Sequence, residues 1–354
     1  MTTRADLRFL GSILASNFRR LAHPFKISFA VTYRCNMRCA MCNIWRKTPA
    51  GRELDAAEID RFFRHATGAY WVGITGGEPF LREDLPEIID SVCRHSRRLR
   101  SIHFATNGSF GERAVAAVGR IHGHLPRLPV VVTVSIDGPR ELHDRIRGRS
   151  GAWDAAVATF TRLKATPGVK AQVGFTLSHA NVGRFEDALG ALRAAFPALR
   201  FDDVNVNIFQ RSSFYYENLE VPRPDPGLLA AQIECILALD GGEASIHNFL
   251  RRRYLRLHDS FARTRRCPLT CQALSSTCYV DPSGDLYPCA VYRRRLLNVR
   301  ELDAPLEQAW SSEQAHRIAF ECSHDQCPGC WNPCDAFSAI GGSLVRAALG
   351  RPRR

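Results

Sequence analysis

The sequence predicts an α/β fold of parallel strands joined by crossover helices, followed by a small cysteine-rich α+β unit. Three observations carry this expectation. From Lys26 to about Asn207, short β-branched or apolar runs alternate with amphipathic segments of helical period, the way parallel strands and their covering helices read. Eight of the thirteen cysteines fall between Cys267 and Cys334, and such clustering points to metal ligands rather than to a secreted disulfide framework. At 354 residues, with 45% apolar and 23% charged side chains, the chain has room for one large unit and one small one and an ordinary globular composition.

No run of about 18 apolar residues exists, so no transmembrane helix is expected. The apolar patch from Phe9 to Ala15 lacks a convincing cleavage site and is followed by Phe18-Arg-Arg, which does not read as a signal peptide. The expected compartment is the cytoplasm, with the inner membrane face as a peripheral site. The net charge of +13 invites a nucleic-acid reading. Yet the only lysines are Lys26, Lys47, Lys164 and Lys170 while arginine is everywhere; the skew reads as codon usage, and nucleic acid is not an expected partner.

Taken in order, residues 1–25 hold a helix with Leu7, Leu10, Leu14, Phe18 and Leu21 at helical spacing and Arg8, Arg19 and Arg20 elsewhere. It is expected to pack on the main domain, with a membrane-surface helix as the sharper alternative. Residues 26–224 form that main domain, with strands at 26–33, 71–75, 100–106, 129–136, 170–177 and 202–208. Leu54-Asp55-Ala-Ala-Glu58 is a capping box whose helix carries Ile59, Phe62, Phe63 and Ala66 on one face. Asp84-Leu-Pro-Glu87 opens the next helix; Trp153, Ala156, Val157, Phe160 and Leu163 mark a later one, and Asn181, Phe185, Leu189 and Leu192 another. Cys93 and Cys235 sit on predicted helix faces among apolar residues and read as small hydrophobes.

The first strand runs into Cys35-Asn-Met-Arg-Cys39-Ala-Met-Cys42. Three thiols at this spacing, on a loop leaving a strand, can converge on one face of an iron–sulfur cube and leave its fourth iron without a protein ligand; a zinc knuckle is the bland alternative. After the second strand comes Thr75-Gly76-Gly77-Glu78-Pro79. Its glycines permit close backbone approach to a ligand, and an ionised glutamate accepts from an ammonium. The combination resembles the radical SAM superfamily. The resemblance implies a partial (β/α)6 TIM-type barrel with its chemistry at the carboxyl ends of the strands. It also implies that Cys35, Cys39 and Cys42 hold a catalytic 4Fe-4S cluster, and that Gly76, Gly77 and Glu78, before Pro79, hold the amino group of S-adenosylmethionine. Thr106-Asn107-Gly108 and Ser135-Ile-Asp137-Gly138-Pro139 resemble the family's strand-end signatures, which puts Asn107, Ser135 and Asp137 near that cofactor or the substrate. Asp137 has capping the Gly138-Pro139 turn as an equal alternative. Arg147, in a further family-like stretch, either pairs with a carboxylate or faces solvent. Thr176, Asn205 and Asn207 are candidates of second rank at the barrel mouth.

A second domain, 225–354, is expected to open with a helix at 226–238, followed by Gly241-Gly242 and the basic stretch Arg251 to Arg266. That stretch reads as a solvated helix face or as a cradle for phosphate, acidic peptide or polynucleotide. Thr277 to Cys289 reads as a hairpin turning at Pro282-Ser283-Gly284. The region resembles the SPASM and twitch auxiliary-cluster domains of radical SAM enzymes. The resemblance implies at least one auxiliary 4Fe-4S cluster on Cys271, Cys289, Cys327 and Cys330, with Cys267 and Cys334 as substitutes and Cys278 and Cys322 unassigned; a zinc ribbon is the alternative. Phe337, Ile340, Leu344 and Leu349 mark a last helix before Arg351-Pro-Arg-Arg, expected to pack on this domain or to lie on anionic lipid.

The resemblance implies an enzyme that reductively cleaves S-adenosylmethionine to a 5′-deoxyadenosyl radical and abstracts hydrogen from a substrate. Its electron donor would be a protein such as flavodoxin or ferredoxin. Relatives with auxiliary domains often modify peptides or protein side chains, although about 25 residues before the first strand leave little room for the leader-binding domain that many peptide maturases carry. A membrane-associated lipid or sugar is the second choice, motivated by the two amphipathic ends. From another class, the alternative is a nonenzymatic zinc or iron–sulfur protein that binds nucleic acid.

Overall fold

The protein is described from a computed structural model covering residues 4–47, 51–240 and 245–349; Gly241-Gly242 and the Arg351-Pro-Arg-Arg end lie outside the described residues. Six strands, β1 (Lys26–Thr32), β2 (Trp71–Gly76), β3 (Ser101–Thr106), β4 (Val130–Ser135), β5 (Val169–Leu177) and β6 (Val204–Ile208), pair in parallel in chain order. They match the sequence expectation to within one or two residues at each end. Alternation explains how they serve two surfaces. Phe104, Val132, Val134, Val173, Phe175 and Val206 are buried in the apolar core. The intervening His103, Thr133, Ser135, Thr176, Asn205 and Asn207 line a cavity on the other face.

The crossovers supply α2 (Ala56–His65), α3 (Leu85–His95), α4 (Gly111–His124), a double crossover of α5 (Arg140–Arg147) and α6 (Ala152–Lys164), and α7 (Phe185–Ala195), preceded at the amino end by α1 (Arg4–Ser16). Asp55 accepts from Glu58 N and Glu58 reaches back to Asp55 N, so the capping box forms, and Ile59, Phe62 and Phe63 are buried. Asn181 is not on a helix face. It precedes α7, where its amide donates to Asp137 O and Thr176 O, both at 2.9 Å, and ties the ends of β4 and β5 together.

Beyond residue 225 the packing is continuous with the barrel. In α8 (Pro226–Leu239), Gln232 donates to Glu186 of α7; in α9 (Ile246–Thr264), the Tyr254 hydroxyl accepts from Ile208 N of β6. The basic stretch is only partly solvated. Arg251 is fully buried, donating to Val204 O at 3.1 Å and pairing with Asp240, which Arg252 also engages. A buried guanidinium needs such partners. Cys235 is half-exposed against Glu186 rather than buried, whereas Cys93 is buried as expected.

The hairpin forms as expected, from β7 (Thr277–Val280) and β8 (Asp285–Tyr287), with β9 (Leu297–Asn298) added beside β8. Its placement was not foreseen. β7 pairs in parallel with β1, Ile27 opposite Cys278 and Phe29 opposite Val280, so the cysteine-rich unit extends the barrel sheet to nine strands. Cys278 is thereby a buried strand residue. The chain continues through α10 (Leu306–Trp310), α11 (Glu313–Ser323), α12 (Pro333–Gly341) and α13 (Leu344–Ala348). Ile340 packs inside, but Leu344 and Leu349 are exposed.

The face of α1 corrects the expectation. Leu7, Leu10, Leu14 and Phe18 point outward; the packed side is Phe9 against Phe25 and Tyr70, and Leu21 is buried just beyond. Hydrophobic spacing showed the stripe but not which side of the helix the domain covers.

Candidate functional site

A cavity of 340 Å³ opens at the carboxyl ends of the six strands, lined by Cys35, Cys39 and Cys42 on one side and by Cys289 and Cys334 on the other. The three-cysteine loop is held there by backbone bonds. Arg38 N donates to Arg147 O at 3.0 Å and Ala40 N to Ile146 O at 2.8 Å, so the end of α5 clamps the loop. Gly148 makes this approach feasible: its φ is +63°, and a Cβ would lie 2.6 Å from Arg38 O. Asn218 adds a bond to Met41 O, and Asn43 N donates to Tyr216 O. Segment 209–221 thus lies over the loop, with the Tyr215 hydroxyl donating to Gly76 O at 2.8 Å. Sequence reading assigned nothing to this segment; the run Phe214-Tyr-Tyr216 after the last strand was its available signal.

The glycines of the second motif serve the frame. A Cβ on Gly76 would lie 2.2 Å from Thr32 O, and one on Gly77 2.2 Å from Arg34 O. Gly77 N and Glu78 N instead donate to those two carbonyls, both at 2.8 Å. β2 is thereby locked to the strand that delivers Cys35, while Gly76 and Gly77 still line the cavity.

Glu78 and Pro79 are placed differently from the expectation. Both are buried and neither lines the cavity. The Glu78 carboxylate accepts from Thr106 Oγ1 at 2.9 Å, Asn107 N at 2.7 Å and Phe80 N at 3.2 Å, so it braces the end of β3 against β2. Burial raises its pKa to about 7 against the pull of those donors. Asn107 does line the cavity, and its amide donates to Asn36 Oδ1 inside the cysteine loop at 2.7 Å. Ser135, Thr176, Asn205 and Asn207 line it as well.

Asp137 does not line the cavity and does more than cap a turn. Fully buried, it accepts from Thr176 N at 2.8 Å and pairs with Arg147 at 2.5 Å. Burial raises the Asp137 carboxyl while Arg147 holds it down. Arg147 in turn reaches Cys39 Sγ at 3.7 Å. Burial alone would lower this guanidinium, but Asp137 and Cys39 outweigh it and hold the charge above its ordinary value. His143 accepts from Asp137 N through Nδ1, and burial, then Arg147, lowers it to about 3, so it stays neutral. Carboxylate, guanidinium and thiol form a chain from the end of β4 to the loop.

On the other wall the thiols meet in a group. Cys322 and Cys327 are hydrogen-bonded, which lowers Cys327 to about 7, and Cys330 is hydrogen-bonded to Cys289. Burial, then Cys267 and Cys289, raises Cys271. Cys322, left unassigned by the sequence, therefore belongs with these thiols. Cys334 is exposed and lies on the cavity side, within electrostatic reach of Tyr215 and Tyr216.

Cys35, Cys39 and Cys42 on the cavity wall, and the thiols Cys267, Cys271, Cys289, Cys322, Cys327 and Cys330 grouped beyond it, are all-thiolate donor sets of the kind iron–sulfur clusters take. Gly76 and Gly77 line the same cavity as Cys35, Cys39 and Cys42, where their backbone groups would face a ligand of a cluster held there.

Fold and site together define an iron–sulfur enzyme of the radical SAM class with an appended cluster domain. The sequence model of the Radical SAM superfamily matches residues 29–175 and that of the iron–sulfur cluster-binding SPASM domain matches residues 271–334. The chain belongs to the SPASM-containing radical SAM enzymes, and its cofactors are S-adenosylmethionine, a 4Fe-4S cluster and auxiliary iron–sulfur. It is similar to the mycofactocin maturase MftC of Mycolicibacterium smegmatis, 26% identical over 94% of this chain and 81% of that protein. The antilisterial bacteriocin subtilosin biosynthesis protein AlbA of Bacillus subtilis is 23% identical over 90% of this chain and 68% of its own. Streptococcus suis SuiB bound to precursor peptide SuiA shares the fold, with a TM-score of 0.58 at 14% identity over 88% of this chain and 70% of that one. Among the described residues no helix is long and apolar enough to cross a membrane.

Proposed function

We propose that this enzyme is a peptide maturase, abstracting hydrogen from a residue of a peptide held between its two cysteine walls. The observation that carries the reading is the shared cavity, lined at once by Cys35, Cys39 and Cys42 and by Cys289 and Cys334. A maturase of mycofactocin, a bacteriocin biosynthesis protein and a structure with a precursor peptide stand among its similar proteins. When bound, the catalytic cluster supplies the electron that cleaves S-adenosylmethionine and so generates the hydrogen-abstracting radical. The chain's own residues do the rest. Cys35, Cys39 and Cys42 hold three irons; Gly76 and Gly77 offer backbone groups, and Asn107, Ser135 and Thr176 polar side chains, to the cofactor or the substrate. Glu78 and Asp137 fix that wall from behind. The strands and the 209–221 segment exclude water, which keeps a reactive primary radical with its target.

For the auxiliary centre we propose ligands from Cys267, Cys271, Cys289, Cys322, Cys327 and Cys330. A flavodoxin- or ferredoxin-type donor supplies the electron. Against the nucleic-acid alternative, Arg251 and Arg252 at the head of the basic stretch are engaged with Asp240. The test is anaerobic reconstitution followed by assay of 5′-deoxyadenosine, alone and with candidate precursor peptides. Product in wild type but not in Cys35→Ala, with a peptide mass loss of one or more hydrogens, is expected; turnover that no peptide stimulates or is altered by would refute the substrate class.

A further inference from the structure

Away from the barrel mouth, an open cleft of 620 Å³ lies between α1, the segment after it, Tyr70 and the start of α11, lined by Arg8, Arg19, Arg20, Arg98, His23 and His316. Among the described residues no carboxylate lines it and no ion pair engages these four arginines; Arg98 Nη1 is hydrogen-bonded to His23 Nε2. Glu307 acts on His23 from outside the lining, against burial and Arg98. Arg20 is the fixed point. Its Nε donates to Leu274 O at 2.5 Å, its guanidinium lies 4.8 Å from the Trp310 ring centre, and its Nη2 is buried with no protein partner. With that guanidinium held in place and Arg8, Arg19 and Arg98 around the same cleft, the lining carries a local excess of positive charge that suits an oxyanion such as phosphate.

The neighbouring surface says what carries the phosphate. Leu7, Leu10 and Leu14 of α1, and Phe18 just past its end, stand outward with exposures of 60%, 49%, 52% and 47%. Asn17 donates to Gly341 O and accepts from Val345 N, which sets α13 beside α1 and adds exposed Leu344 and Leu349. A free anion in solution has no use for an apolar stripe on the helix that lines its site. A bilayer presents both chemistries at that spacing, phosphate above hydrocarbon.

We propose that this face docks on an anionic phospholipid surface, the α1 stripe entering the headgroup and acyl boundary while Arg19, Arg20 and Arg98 take one headgroup phosphate into the cleft. The peptide would then be modified at the membrane rather than in bulk solution.

Vesicle flotation of the full-length, reconstituted enzyme tests this. Vesicles with about one-third phosphatidylglycerol should carry the protein at low salt, and pure phosphatidylcholine vesicles should carry roughly tenfold less. Leu10→Gln with Leu14→Gln should lower partition to both by roughly tenfold or more, and Arg19→Gln with Arg98→Gln should abolish only the preference for anionic lipid. The substituted leucines are exposed, so unchanged melting temperatures are expected. Absence of flotation at low salt, or equal flotation with both vesicle types, would overturn the proposal. So would Leu variants that float like wild type while inorganic phosphate competes, since that pattern marks a site for free anion.

Discussion

Replacing Glu78 by glutamine should change how stability depends on pH, with a sign the structure determines. The carboxyl is fully buried and its pKa rises from the ordinary 4.5 to about 7, burial outweighing three donors. At about 1.4 kcal/mol per pH unit, that rise amounts to about 3 kcal/mol. Below pH 4.5 folded and unfolded chains both keep the proton and ionisation costs nothing. As pH rises through 4.5 the unfolded chain releases its proton while the folded one does not, so stability falls, and the loss is complete above about 7. Glu78→Gln removes this slope. It also sets an amide N–H2 against Asn107 N–H or against the Thr106 and Phe80 donors, a mismatch costing about 1–3 kcal/mol at any pH. The variant should therefore be the less stable protein at pH 5, and the gap should close or reverse by pH 8. Urea unfolding of cluster-free wild type and variant at both pH values measures the difference. A gap that stays constant across this range would refute the reasoning, because it would mean that Glu78 is ionised in the fold throughout.

Two further outcomes follow from the same geometry. Arg147→Met strands the buried Asp137 carboxylate and should cost about 3–5 kcal/mol at neutral pH; by removing a cation 3.7 Å from Cys39 Sγ, it should also shift the catalytic cluster's reduction potential to a more negative value, readable by redox titration. Cys322→Ser should remove about four irons per chain, while Cys334→Ser, on the cavity side of the thiol group, should retain full iron and lose turnover with peptide; iron analysis and 5′-deoxyadenosine assays on both variants decide the ligand set.

The strands were legible because each alternates between residues for the helices and residues for the cavity, and that period survives in one dimension. Thr176, Asn205 and Asn207 were found that way, and Ser135 by its place in a strand-end signature. The cysteine spacings and the Pro282-Ser283-Gly284 turn were legible because both are local. Glu78 was read as a ligand group from its motif, and Asp137 as either a ligand group or a turn cap; what engages them, Thr106 with Asn107 and Arg147, comes from other strands and helices. The same limit applies to α1. Four apolar residues at helical spacing specify a stripe, but Phe9, Phe25 and Tyr70 decide that its back is the side that packs. The pairing of β1 with β7 left no trace either, since parallel partners share neither a turn nor a repeat.

That pairing has a consequence for synthesis. β1 waits for a neighbour that lies roughly 245 residues further along the chain; at about 5–20 residues per second the wait lasts roughly 10–50 s. Throughout it, one border of an otherwise formed sheet offers unpaired amides and carbonyls to any other nascent chain, while the three-cysteine loop hangs from that same strand. A chain cut after β6 would keep this border open permanently. Expressed alone, the barrel should polymerise edge to edge, and a soluble form will need Thr277–Val280 restored to it.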